Sequence, residues 1–251
     1  MKVSSITKII EKFAPLYLAA DFDTPGLNVG DKNQEVNSVL LCENVTMDTL
    51  CEAIENNCEM IISHHPAIFG EIKDDFTRDI VNKAHKNKIC LYSAHTNLDS
   101  CKGGINDRLA NLLNINVTYP IENGDCYRIG TFNNVATLFE KEKEISAILK
   151  DNNIRTLGDK SRVLKKVCVS CGAGARDDDL VELLKTNEVD VLIGGENKLS
   201  IALKMQYYNI CLIEVGHYNS EIIAIDIFYD LLKDQKIKII KSKKDINPYN
   251  N

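Results

Sequence analysis

Met60-Ile61-Ile62-Ser63-His64-His65-Pro66 is a short apolar run that stops at two adjacent imidazoles. An unbroken apolar run of this length fits a strand buried on both faces. Upstream, Ser38-Val39-Leu40-Leu41-Cys42 has the same character, and the residues between, 47–56, read as a helix. Downstream, 75–87 reads as a helix and Ile89-Cys90-Leu91-Tyr92-Ser93 as a further buried strand. Strand, helix, strand in repetition is the βαβ pattern of a largely parallel sheet. It returns later in the chain, with strands expected over 163–170, 189–193 and 210–215 and helices over 106–113, 142–151, 178–186, 198–207 and 220–232. The fold class is therefore α/β. An N-terminal helix over 5–18 carries Ile6, Ile9, Ile10, Phe13 and Leu16 on one face, with Pro15 placed to kink or shorten it. A polar loop, Asp21 to Gly30, follows.

Composition narrows the class further. A chain of 251 residues, 44% hydrophobic, can bury the core of one large or two small domains. The turn-rich stretch Pro120-Ile121-Glu122-Asn123-Gly124-Asp125 and the β-rich stretch after it place a lobe boundary there, giving lobes over 1–122 and 126–240. The Lys/Asn/Asp-rich segment 241–251 reads as a short disordered tail. A formal net charge of −6 builds no broad basic footprint, so neither nucleic acid nor an anionic membrane is the favoured partner. The N-terminus lacks an apolar signal segment, and no apolar run approaches the ~20 residues that span a bilayer. A soluble, cytoplasmic protein is expected. The nine cysteines are odd in number and mostly in apolar surroundings, which fits reduced thiols packed as small hydrophobes. Cys168 and Cys171 form a lone C-x-x-C, read as a strand-core residue and a loop thiol in preference to a redox pair or half of a zinc site.

The chemistry collects at strand ends. Parallel α/β sheets gather binding groups along the edge where strands finish. His64 and His65 follow one strand, Ala94-His95-Thr96-Asn97-Leu98-Asp99 follows another, and His217 follows a third, with Glu221 four residues on and on the same helical face. Imidazole with carboxylate suits Zn, Mn or Fe(II) better than Ca or Mg. Taken singly, each residue has a blander reading: Asp99 as a turn acid, His217 with Glu221 as a helix-start ion pair. Burying His64 and His65 side by side without partners is costly, and four of the five histidines stand at strand edges. His85, on a charged helix, is solvated surface.

Ser63-His64-His65-Pro66, Ser93-Ala94-His95-Thr96-Asn97-Leu98-Asp99, Gly103-Gly104-Ile105-Asn106-Asp107 and Gly216-His217 to Glu221 resemble the signature blocks of the Nif-three-like dinuclear-metal family. Its bacterial members carry the description "GTP cyclohydrolase 1 type 2 homolog". Asp21 to Gly30 resembles the family's N-terminal W-D-N-x-G-L-x-x-G block, although Phe22-Asp23-Thr24 stands where Trp-Asp-Asn is usual. Cys171-Gly172-Ala173-Gly174 and Gly194-Gly195-Glu196 resemble its two later glycine loops. The resemblance spans nearly the whole chain. It implies two divalent metals (Zn, Mn or Fe) held by His64, His65, Asp99, His217 and Glu221, with Glu221 bridging both. It also implies two α/β lobes enclosing that site and a ring-shaped homohexamer.

The function that follows is a metal-dependent hydrolase acting on a small molecule, such as a nucleotide, through a metal-bridging hydroxide. Two metals ~3.5–4 Å apart lower the pKa of a shared water toward ~7. His95 and Glu196 are the candidate catalytic proton-transfer groups, His95 having an equal claim to orienting Asp99 and Glu196 to a helix-dipole role. The alternative is a non-catalytic metal-binding regulatory or scaffold protein, for which the same ligands serve.

Overall fold

The computed structural model describes residues 1–119, 125–174, 178–245 and 247–248. In chain order the elements are α1 (Val3–Phe13), a 3-10 turn (Leu16–Leu18), β1 (Gly26–Val29), β2 (Ser38–Cys42), α2 (Met47–Glu55), β3 (Met60–Ser63), α3 (Asp75–Lys86), β4 (Cys90–Ser93), α4 (Thr96–Ser100) and α5 (Ile105–Leu112). Then come β5 (Ile115–Tyr119), β6 (Arg128–Thr137), α6 (Leu138–Leu149), β7 (Arg155–Leu157), β8 (Val163–Ser170), α7 (Asp178–Thr186), β9 (Val191–Gly194), α8 (Leu199–Tyr207), β10 (Cys211–Glu214), α9 (His217–Glu221), α10 (Ala224–Leu232) and β11 (Lys238–Lys241). The chain divides into two compact units, Met1–Cys101 with Ala224–Asn251, and Lys102–Ile223.

The first unit is built on a five-stranded sheet in the order β1-β4-β3-β2-β11. β4, β3, β2 and β11 run parallel, and β1 closes the edge antiparallel to β4. Every residue of β2, β3 and β4 is buried, as their unbroken apolar runs require. The helices around them are begun by their own side chains. Thr46 and Thr49 cap α2 reciprocally, and Asp74 accepts the Thr77 N–H at the start of α3. Pairing of Cys42 with Ser63 and of Ser63 with Ser93 levels the three strand ends. Glu43-Asn44, His64-His65 and Ala94-His95 therefore leave the sheet along one edge.

The second unit carries a six-stranded sheet, β5-β6-β8-β9-β10-β7. Its centre, β8-β9-β10, is parallel, and β5, β6 and β7 extend it antiparallel. Cys168, Val181, Leu184, Leu192, Ile201 and Met205 form its core. Arg128 is buried in this unit, its guanidinium forked onto Asp107 (Nε–Oδ1 2.9 Å, Nη2–Oδ2 3.2 Å), and Asp107 also accepts the Gly103 N–H.

Several elements differ from the sequence expectation for local reasons. The helix expected over 5–18 ends at Phe13, and Pro15 precedes a separate 3-10 turn. The helix expected from 142 starts at Leu138 because Thr137 and Glu140 form a capping box. The helix expected over 220–232 is two pieces, α9 and α10. The lobes expected over 1–122 and 126–240 differ from the observed units, because β11 pairs with β2 and returns the end of the chain to the first sheet. Of the expected boundary turn, residues 120–124 lie outside the described residues. The expected disordered tail begins instead with ordered contacts. Ser242 donates to Glu52, which also accepts the Lys243 N–H, and the Asp245 carboxylate accepts the Glu43 N–H. Residues 246 and 249–251 lie outside the described residues. All nine cysteines are free thiols, and Cys168 is buried on β8 with its thiol pushed up by burial. No helix among the described residues is long and apolar enough to cross a membrane.

Removing residues 242–251 leaves the buried Glu43 N–H and Glu52 carboxylate without these partners. The truncated chain should unfold at lower urea concentration, by about 1–3 kcal/mol, in equilibrium denaturation followed by circular dichroism.

Candidate metal centre

In the first unit three imidazoles gather at the strand ends. The rings of His64, His65 and His95 lie 4.8 to 5.2 Å apart, and one ligand nitrogen from each lies within 4.8 Å of the others. Each ring is held through Nδ1 by an oxygen. His64 Nδ1 is 3.0 Å from the Ala94 carbonyl, His65 Nδ1 is 2.8 Å from Asn44 Oδ1, and His95 Nδ1 is 2.8 Å from Asp23 Oδ1. A carbonyl or carboxylate oxygen can only accept, so in every case Nδ1 carries the proton and donates. The nitrogen each ring presents beyond that bond is then Nε2. Asp99 lies on α4, buried, with Oδ1 3.7 Å from His64 Nε2.

In the second unit His217 is the first residue of α9, just past β10, and its Nε2 lies 2.8 Å from Glu221 Oε2. Its Nδ1 is 3.5 Å from Glu196 Oε1. Glu196 follows β9, and its N–H donates to the Gly172 carbonyl. Gly172 in turn donates to Ser220 Oγ, the residue beside Glu221. A Cβ on Gly172 would stand 1.8 Å from Glu221 Oε1, and its φ of +53° is left-handed, so glycine is what lets the loop close over the carboxylate. Burial alone would lower the His217 imidazole, but Glu221 and Glu196 beside it lift it above the ordinary histidine value.

The seven residues singled out from the sequence thus fall into two groups. His64, His65, His95 and Asp99 come together in the first unit, and His217, Glu221 and Glu196 in the second. The His95 ring is itself held by Asp23 through Nδ1. Burial would raise the Asp23 carboxyl, but hydrogen bonds from His95 and Thr96 outweigh it and hold the pKa down to about 2. Asp23 and Asn44 were missed as orienting residues. The strand-end rule, applied to β2 as it was to β3, points to Asn44. Asp23 stands in the loop that resembles the family's N-terminal block, but nothing local pairs it with His95.

The donor set could hold a divalent metal ion. Nitrogen and carboxylate oxygen are ligand atoms such ions take, and histidines whose Nδ1 protons are fixed by acceptors are the arrangement that metal-ligating imidazoles adopt.

Comparison with known proteins agrees with this architecture. Residues 1–248 match the Duf34/NIF3 (NGG1p interacting factor 3) family. A Clostridium acetobutylicum protein described as a GTP cyclohydrolase 1 type 2 homolog is 32% identical, covering 99% of this chain and 98% of its own length. A Clostridium perfringens protein of the same description is 30% identical, covering 99% of both. Among solved structures, a Bacillus cereus protein related to NIF3 has the same fold, with a TM-score of 0.86 at 20% identity over 99% of this chain and 98% of its own. Reduced HcgD from Methanocaldococcus jannaschii matches with a TM-score of 0.82 at 26% identity, over 97% and 98%.

Gly172→Ala should destabilise the protein by about 1–3 kcal/mol through backbone strain and the clash with Glu221, read as a lower urea midpoint. Asp23, with its folded-state pKa depressed, contributes stability that is full above the ordinary Asp value and is lost as pH falls through about 2. Asp23→Asn removes that dependence. Between pH 5 and pH 3 the wild type should lose about 1 kcal/mol more than the variant, measured by urea unfolding at both pH values.

Proposed function

This chain belongs to the Duf34/NIF3 family, and we propose that it is a dinuclear divalent-metal protein acting as a hydrolase. The ligands we assign are His64, His65 and Asp99 in the first unit and His217 and Glu221 in the second. Glu221 would hold a metal ion together with His217. The observation that carries the reading is the fixed tautomer of His64 and His65, each of which donates from Nδ1 to an oxygen and so offers Nε2. When bound, divalent ions of this class polarise a substrate oxygen and acidify a water molecule.

The chain's own residues supply the remaining functions. Asn44 holds the His65 ring, and the Ala94 carbonyl holds His64. His95, fixed by Asp23, is placed to take or give a proton through Nε2. Glu196, 3.5 Å from His217 Nδ1, is the corresponding acceptor in the second unit. The relatives described as GTP cyclohydrolase 1 type 2 homologs point to a nitrogen heterocycle as the bond-breaking target. A ring-shaped homohexamer belongs to the same family reading.

Elemental analysis of the purified chain should find about two divalent ions per chain. Asn44→Ala should weaken metal binding about 10- to 100-fold, and His64→Ala should abolish hydrolysis of a panel of nucleotides, phosphodiesters and cyclic amides. Wild-type protein that binds no zinc, manganese or iron would sink the reading. Equal turnover by wild type and His64→Ala would remove catalysis from this site and leave a metal-binding regulatory protein.

A further inference from the structure

The first unit holds a cavity of ≈ 650 Å³ whose lining includes His65 and Pro66. That volume lies within the range of ~300–1,000 Å³ typical of small-molecule sites. It forms where the chain leaves β2 and β3, with Lys244 and Asp245 from the C-terminal segment.

Two features set its chemistry. The first is aromatic. Phe69 and Phe76 line the cavity, yet they are 54% and 61% exposed. The Phe69 ring lies 6.1 Å from the ring of Phe22, itself 67% exposed, and 6.2 Å edge-on from His95. Uncovered phenyl rings beside a ligand cluster present faces to another ring or to a cation. The second feature is charge. Asp48, Asp74 and Asp245, together with Glu71 beside Lys73, share the lining with one ammonium, Lys244. The helix N-termini that would otherwise welcome phosphate are already capped. Asp74 accepts the Thr77 N–H on α3, and Thr46 accepts the Thr49 N–H on α2.

We infer that this cavity binds a planar nitrogen heteroaromatic ring, neutral or cationic, and discriminates against polyphosphates. The phenyl faces take the ring, and the carboxylates accept its N–H donors. A triphosphate brought to the same place meets like charge. That the ring belongs to a substrate rests on the dinuclear hydrolase reading; the binding of the ring does not.

The test is isothermal titration calorimetry on the full chain stripped of metal, with 7-methylguanosine as a cationic ring, guanosine as a neutral one and GTP as the phosphorylated one. 7-Methylguanosine should bind at least about tenfold more tightly than GTP, with guanosine between them. Phe69→Leu and Phe76→Leu should each weaken 7-methylguanosine about 5- to 100-fold, and far-UV circular dichroism should be unchanged because both rings are largely exposed. Asp48→Asn should narrow the margin between 7-methylguanosine and guanosine. Binding of GTP as tight as that of 7-methylguanosine, unchanged affinity in both phenylalanine variants, or no binding of any of the three would overturn the inference. Elemental analysis of the same chain before stripping keeps the two readings apart. Ring binding by a chain that takes up no metal ends the hydrolase reading alone, and metal uptake without ring binding ends this one alone.

Discussion

Three imidazoles whose Nδ1 protons are all committed to oxygen acceptors form the constraint on which the first unit's chemistry depends. A histidine at a strand end is ordinary, because either nitrogen can carry the proton and the ring can turn. Here the Ala94 carbonyl, Asn44 and Asp23 remove that freedom one ring at a time. The acceptors come from different places in the chain: the start of the turn after β4, the end of β2 and the loop before β1. Their convergence depends on the parallel register of β2, β3 and β4, which levels the strand ends. The sheet's buried faces, rich in Val, Ile and Leu, therefore set ring orientation as well as stability.

The second unit solves a related problem with backbone. Glu221 and His217 sit on one short helix, but the carboxylate needs space that only a glycine at 172 leaves. The loop that passes it is tied by Ser220 and by the Glu196 N–H. In this unit the buried Arg128 forks onto the half-buried Asp107, which also takes up the Gly103 amide. Such a pair contributes definition of geometry more than net stability, since desolvation offsets much of its attraction.

Much of this was legible in the chain before folding was considered. Met60–Ser63 and its neighbours are apolar enough to be read as buried strands, and an abrupt His-His after such a run has few bland explanations. His64, His65, Asp99, His217 and Glu221 all follow from strand ends or helical spacing. What was hidden lies at a distance or at an edge. Asp23 meets His95 across 72 positions, and nothing beside Asp23 announces that pairing. β11, Lys-Ile-Ile-Lys, is only half-buried, so its alternation is weak and its pairing with β2 cannot be read locally. Because β11 pairs with β2, the observed units differ from lobes divided near residues 120–125, and residues 242–245 make ordered contacts.

The pairing of β11 with β2 also has a consequence for the newborn chain. Synthesis proceeds from the N-terminus, so β2 exists long before residues 238–241 leave the ribosome. Until then the flank of a largely apolar strand offers its hydrogen-bonding groups to any extended peptide nearby. The seam along β2 stays open until residues 238–241 pair with it.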